Sequence, residues 1–282
     1  MSGGRTEDFL SFIRFSHTIF AMPFALGALF VAAGGLPELK LLGLVVLAMI
    51  FARTAAMTFN RLADWEIDKR NPRTQQRHKL ASRTTAIAAC AVSSILFAVV
   101  AWFINPLCFA LSPIALLVVF FYSFTKRFTD AAQFFLGLAL SVAPVGAWIA
   151  VTGSFAWPPL ILALGVVLWV AGFDMIYATQ DYEVDVREGL HSMVVRLGIP
   201  GALNLAVVLH ALAWVAFLGF GFSAGLGPIY YGAMVLMGAM LVWEHLLARR
   251  GDIGAINRAF FQANAIVGVL FAVSTLVDGL LR

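Results

Sequence analysis

Charge is what this chain has least of. Only 12% of its 282 residues are charged and 61% are hydrophobic, against about 25% charged and about 45–50% apolar in soluble domains. That scarcity excludes a water-soluble globule, which could not hide so much apolar surface. A bilayer is the physical alternative, because there the lipid solvates that surface. Cysteine is nearly absent as well. Cys90 and Cys108 fall within or at the start of apolar runs and form no CxxC, so they read as packing residues and exclude a disulfide framework. Long polar stretches number only two, 61–83 and 179–200. The net charge of +4 sits between apolar runs and not on one polar face, which points to membrane topology and away from nucleic acid.

Apolar runs occur near 9–33, 41–60, 84–104, 107–125, 131–152, 157–178, 201–222, 228–248 and 258–280. Each approaches the roughly 20 residues needed to cross a hydrocarbon core of about 30 Å. The first run exceeds the roughly 7–15 apolar residues of a cleaved signal, so it is expected to be a span. Asn105–Pro106 marks a tight turn, and Gly153 with Pro158–Pro159 marks another. With the N-terminus in the cytoplasm, every one of the 19 Lys and Arg residues except Lys40, Arg53 and Arg282 falls on the cytoplasmic side. This bias predicts N-in, C-out and an odd number of spans. The expectation is an all-α, multi-pass integral membrane protein of about nine transmembrane helices, forming a single domain over 1–282. Its two long cytoplasmic loops, 61–83 and 179–200, are where function is expected.

The first loop opens with Asn60-Arg-Leu-Ala-Asp64-Trp-Glu-Ile-Asp68. On a continuing helix each step of four residues turns about 40°, so Asn60, Asp64 and Asp68 share a stripe. Two carboxylates on adjacent turns repel unless a cation sits between them, and Mg²⁺ suits such oxygen ligands together with substrate phosphates. On this reading, removing them without the metal leaves stability unharmed or raises it. The second loop repeats the pattern in Asp174-Met-Ile-Tyr177-Ala-Thr-Gln180-Asp181-Tyr-Glu-Val-Asp185. A shift of 117 residues carries Asp64, Asp68 and Arg70 onto Asp181, Asp185 and Arg187, and Asn60 onto Tyr177. The chain therefore reads as an internal duplication of two four-helix-like repeats plus a C-terminal helix.

Two acidic clusters on one membrane side suit a diphosphate held through Mg²⁺. Lys69, Arg70, Arg73, Arg77 and Arg187 are candidate cations to complete the site. Tyr122 and Lys126 are four apart and share a helical face, so Lys126 could reach a phosphate; an interfacial Tyr with a topological Lys gives the same pattern. Arg53 and Asp174 each lie seven residues before a motif residue, at membrane depth, where charge is costly and faces an interior cavity. Arg53 could hold the carboxylate of an aromatic substrate or pair with Asp174. His17 could line the same cavity or simply pack. The C-terminal third, Glu244 included, carries no motif and reads as scaffold and as wall for a greasy chain.

Asn60–Asp68 and Asp181–Asp185 resemble the UbiA-type intramembrane prenyltransferases. Asp68-Lys-Arg-Asn-Pro-Arg-Thr74, Tyr177-Ala-x-Gln180-Asp181, Gly189-x-x-Ser192 and Tyr122-x3-Lys126-Arg127 add to the likeness, which covers nearly the whole chain. Arg14-Phe-Ser-His17-Thr-Ile-Phe-Ala-Met-Pro-Phe24 with Asn60-Arg61 is similar to the 4-hydroxybenzoate polyprenyltransferase-like branch, and more narrowly to members of the futalosine route to menaquinone. One stretch departs: His78-Lys-Leu-Ala-Ser82 stands where the family often has a Pro-x-Pro-x-Gly-like segment. The resemblance implies an all-helical bundle in the bacterial inner membrane. It also implies a Mg²⁺-dependent site on the cytoplasmic side with a lateral opening to lipid. The implied substrates are a polyprenyl diphosphate and a hydroxylated aromatic acid, 4-hydroxybenzoate or a dihydroxynaphthoate. Asp64, Asp68, Asp181, Asp185 and Asn60 would hold the metal; Arg53, Arg70, Tyr122, Lys126, Asp174, Tyr177, Gln180 and His17 would meet substrate. Haem farnesyltransferases and chlorophyll-type synthases are the rival acceptor classes within the family. Outside it, a cation transporter would place its acids at mid-membrane, and a phosphatidyl-type phosphotransferase is expected to carry one acidic cluster instead of two.

Overall fold

In the computed structural model, residues 11–12, 20–70, 74–76 and 80–281 are described. His17, Arg14, Arg73, Arg77 and Lys79 lie outside them. The described chain is helical: α1 Met22–Ala33, α2 Leu39–Ala63, α3 Trp65–Arg70, α4 Arg83–Ile104, α5 Pro106–Thr125, α6 Ala132–Thr152, α7 Trp157–Ala178, α8 Tyr182–Arg187, α9 Met193–Ser223, α10 Pro228–Ala248, α11 Ile253–Arg258 and α12 Asn264–Leu280. Eight helices among the described residues are long and apolar enough to cross a membrane, and the short apolar α1 joins them. The protein is a multi-pass integral membrane protein. Its first expected span, 9–33, is described only in part.

Local chemistry sets the turns. Asn105 caps α5 by accepting from Cys108 N at 2.8 Å, while its amide donates to Ile149 O at 2.9 Å and ties that turn to the end of α6. Pro106 takes the first helical position, where no N–H is needed. Gly153 ends α6 at φ 65, a left-handed backbone that suits glycine. Helix packing in lipid relies on close fit, since lipid is as apolar as the side chains. Gly137 provides it between α6 and α7: a Cβ there would sit 2.5 Å from Val167 O.

The most extensive helix pairs are α7 with α9 and α2 with α4. The described parts of the two long polar stretches include α3 in the first and α8 in the second. The backbone runs past Ala63 with Asp64 N bonded to Asn60 O at 2.9 Å and Asp68 N to Asp64 O at 2.8 Å. The second stretch carries a 3-10 turn at Thr179–Asp181 and then α8. Ser192 starts α9 well before the expected 201 by accepting from Val195 N at 3.1 Å. Within the span labelled α9, Gly198 (φ 69, ψ 168) leaves helical geometry just before Pro200, so a short first helix after Ser192 is joined across a kink to the long one that follows.

Candidate active site

Asp64 closes α2 and is 4% exposed. Its Oδ2 accepts from Lys126 Nζ at 2.7 Å and, more weakly, from Asn60 Nδ2 at 3.5 Å. Arg127 stands 3.8 Å from Oδ1, which is buried and accepts no hydrogen bond from the described residues. Arg127 also donates to Ala63 O. Asn60 donates further to Ser123 Oγ at 3.4 Å. The α2 and α5 ends are thereby joined through the spacings N-x3-D and Y-x3-K.

Asp68, 6% exposed, faces a different cation. Arg61 Nη1 is 3.7 Å from its Oδ2, and Arg61 also donates to Asn60 Oδ1 and Phe12 O, both at 3.3 Å. The two first-motif carboxylates thus have separate cationic neighbours. In the sequence Arg61 read as a topological charge and as half of the Asn60-Arg61 pair of the family likeness, with no contact to Asp68 expected. Its position next to Asn60, seven residues before Asp68, was the available signal.

Below these groups a cavity of about 670 Å³ opens among α2, α4, α5, α6 and α7. Arg53, Asn60, Arg61, Tyr122, Asp174 and Tyr177 line it, with a large majority of apolar residues. Five expected site residues therefore share one chamber. Along α2 the lining runs from Asn60 to Val45, roughly 22 Å at about 1.5 Å per residue. The far end is walled by Ile104, Cys108, Ile149, Phe155 and Leu160. Ile114, Leu138, Phe155 and Leu160 line the cavity and are also exposed on the outside of the bundle, so the chamber reaches the lipid-facing surface.

The second motif continues from the same wall. Tyr177 is followed by Gln180, which donates to Tyr177 O at 3.4 Å, and by the half-buried Asp181 and Asp185. The two motif segments meet on one side of the bundle, where Arg70 binds Glu188 at 3.0 Å, and the second segment is tied to the end of α5 by His191 N donating to Lys126 O at 2.8 Å. Arg70 does not line the large cavity. It lines a second one of about 510 Å³ with Trp65, Glu66, Arg83, Arg127 and Glu188. Glu188 was not foreseen, because nothing local marks a partner 118 residues away.

The family model for UbiA prenyltransferases matches residues 21–266. The chain belongs to the UbiA prenyltransferase family. It is a membrane prenyltransferase. The 4-hydroxybenzoate octaprenyltransferase of Vibrio parahaemolyticus is 33% identical over 258 residues, covering 89% of this chain and 88% of that one. A UbiA homolog from Aeropyrum pernix K1, solved in its apo form, superposes with a TM-score of 0.84 at 29% identity, covering 93% and 98% of the two chains. A UbiA homolog from Archaeoglobus fulgidus, bound to DMAPP and Mg²⁺, shares the fold with a TM-score of 0.74 at 20% identity, covering 98% and 100%.

The donors at the UbiA motifs suit a hard ion: carboxylates, an amide oxygen, and one buried carboxylate oxygen that accepts no hydrogen bond from the described residues. Among the described residues no group of three or more His, Cys, Asp or Glu is gathered as a ready metal cage. Mg²⁺ does not need one, since it binds through one or two carboxylates with waters and substrate phosphates.

Proposed function

We propose that the large cavity receives a polyprenyl diphosphate and a hydroxylated aromatic acid, 4-hydroxybenzoate or a dihydroxynaphthoate, and that the enzyme joins them in quinone biosynthesis. The observation that carries this reading is one chamber with Arg53, Tyr122, Asp174 and Tyr177 beneath the Asp64–Lys126 pair, continued by a long apolar shaft. The Vibrio relative's name supports the acceptor class. Asp64, Asp68, Asp181, Asp185 and Asn60 would hold Mg²⁺, which when bound neutralises the diphosphate as a Lewis acid. Lys126 lets go of Asp64 to meet a phosphate oxygen and stabilises charge on the leaving group. The allylic C–O bond breaks, and diphosphate departs with the electron pair. An electron-rich ring carbon forms the new C–C bond and then loses its proton. The faces of Tyr122 and Tyr177 shield the allylic cation, and the apolar wall keeps out water that would capture it. Purified protein incubated with Mg²⁺, polyprenyl diphosphates and a panel of aromatic acids should yield a prenylated acid by mass. Turnover of a non-aromatic acceptor alone would overturn the acceptor assignment.

Arg53 is the residue proposed to orient the acid. A planar guanidinium binds a carboxylate at two points, which an ammonium cannot reproduce. Arg53→Lys should raise the aromatic KM about tenfold, the scale of one charge-assisted hydrogen bond, and leave the diphosphate KM unchanged. A stable Arg53→Lys enzyme with the wild-type aromatic KM assigns Arg53 to the fold, with Asp174 as a partner.

The same reading puts the N-terminus and both motif segments in the cytoplasm, in a single domain of two four-helix-like repeats and a C-terminal helix. The basic-residue bias and the Arg70–Glu188 contact support it. Single cysteines introduced at 66 and 188, with Cys90 and Cys108 replaced by Ala, should both be labelled only from the cytoplasmic face of oriented vesicles. Labelling from the opposite face at either position rules the orientation out.

A further inference from the structure

Behind the cavity wall lies a buried polar group that the proposed chemistry does not use. His210 of α9 is 1% exposed, and Glu244 of α10 and Asn264 of α12 are 0% exposed. Gly172 of α7 makes room for it: a Cβ there would sit 2.3 Å from His210 Cδ2. The imidazole can thus reach the α7 backbone, where Nε2 meets Trp169 O at 3.1 Å. A carbonyl only accepts, so Nε2 carries hydrogen. The Asn264 amide is oriented in the same way. Its Nδ2 donates to Glu244 Oε1 at 2.8 Å and to Phe260 O at 3.0 Å.

That leaves His210 Nδ1 facing Glu244 Oε2 at 3.6 Å, both buried and neither hydrogen-bonded among the described residues. With Nε2 protonated, Nδ1 of a neutral ring offers a lone pair, and so does every oxygen of an ionised carboxylate. Two acceptors opposed where water is excluded are costly. One proton on either atom makes the contact a donor–acceptor pair. The pair then has no net charge, which is the least costly state to bury.

We propose that His210 and Glu244 hold one proton between them and, through Asn264, act as positioning residues that fix the Phe260 ring against Tyr177 in the wall of the substrate cavity. A π-turn at Ala259–Ala263 interrupts the helix just before Asn264, and such turns recur at functional positions. The Phe260 ring lies 4.3 Å from that of Tyr177 and 5.4 Å from that of Phe173, and all three line the cavity. His245 flanks the pair, its ring 4.9 Å from that of His210. The proposal rests on reading that cavity as the substrate site.

Glu244→Gln separates the proton from the shape. Its amide NH₂ can donate to His210 Nδ1 while its oxygen still accepts from Asn264, so it mimics the protonated acid. Relative to wild type, Glu244→Gln should keep kcat/KM within about threefold, whereas Glu244→Ala and Asn264→Ala should raise the acceptor KM about tenfold, as for a buried polar group left unpaired. The prenyl diphosphate KM should move less than about twofold in all three, which marks loss of positioning apart from loss of fold. A Gln variant as impaired as the Ala variants overturns the shared proton. Ala variants that lose thermal stability but keep both KM values overturn positioning. Should Glu244→Ala not accumulate, the other two variants decide. Wild-type inactivity toward every aromatic acid would count against the proposed function alone, because infrared spectra read the proton without turnover. There the difference between wild type and Glu244→Gln should show a carboxylic acid, or an imidazolium with carboxylate. A carboxylate beside a neutral imidazole overturns the proposal.

Discussion

Asp64→Ala is expected to lower prenyl transfer by about 10³-fold or more, the scale on which losing one preorganised charge at a transition state is felt. Asp181→Ala should do the same if the second motif completes the diphosphate site. Their effects on stability should be small, because Asp64 neighbours a Lys126 whose side chain is 30% exposed and can turn to solvent. Asp68→Ala is different. It strips a carboxylate from Arg61, whose side chain is only 6% exposed, and breaking a buried pair costs far more than breaking a surface one. Arg61 keeps its contacts to Asn60 and Phe12, so a loss of about 1–3 kcal/mol is expected. At Asp64 and Asp68 the expectation of destabilising mutual repulsion gives way, since each of these two has a cation beside it. Activity and thermal unfolding measured on the same preparations check both halves. Near-wild-type rates for both Asp64→Ala and Asp181→Ala would remove the motifs from the active site.

Excess EDTA should abolish activity, to below about 1% of the starting rate, with recovery on adding Mg²⁺ or Mn²⁺, which accept the same oxygen ligands. The argument is one of charge. Lys126 and Arg61 neutralise the carboxylates they touch. If those carboxylates remain at the site when a diphosphate arrives, the local balance turns strongly negative. A hard divalent ion can be shared between carboxylate and phosphate and relieve that balance. Full turnover in EDTA would show that Lys126 and Arg127 suffice.

Much of this was legible in the sequence, for identifiable reasons. The ends of α7 and α10 fell where expected because Gly153, Pro158–Pro159 and Gly227–Pro228 punctuate the apolar runs. The long apolar part of α9 begins close to the expected 201, because Gly198 and Pro200 break the helix there; the short helix before the break was not expected, since its signal, the Ser192 cap, is a single hydroxyl. Asn60 with Asp64, and Tyr122 with Lys126, could be placed on shared faces because helical spacing reports faces, and the structure brings Asn60, Asp64 and Lys126 together. Contacts between distant helices have no such period, so Glu188 against Arg70, and Glu244 against His210 and Asn264, were invisible. Glu244 was read as scaffold, yet a carboxylate at membrane depth is itself a signal.

On the function proposed above, the side opening of the cavity at Ile114, Leu138, Phe155 and Leu160 sets the units in which the donor is measured. A polyprenyl diphosphate that enters from the lipid is never a solute in the aqueous volume. Its concentration is a mole fraction in a two-dimensional solvent. Adding inert lipid or detergent at constant total substrate should therefore slow the reaction by surface dilution, while the proposed acceptor, a soluble acid, saturates by its ordinary molarity.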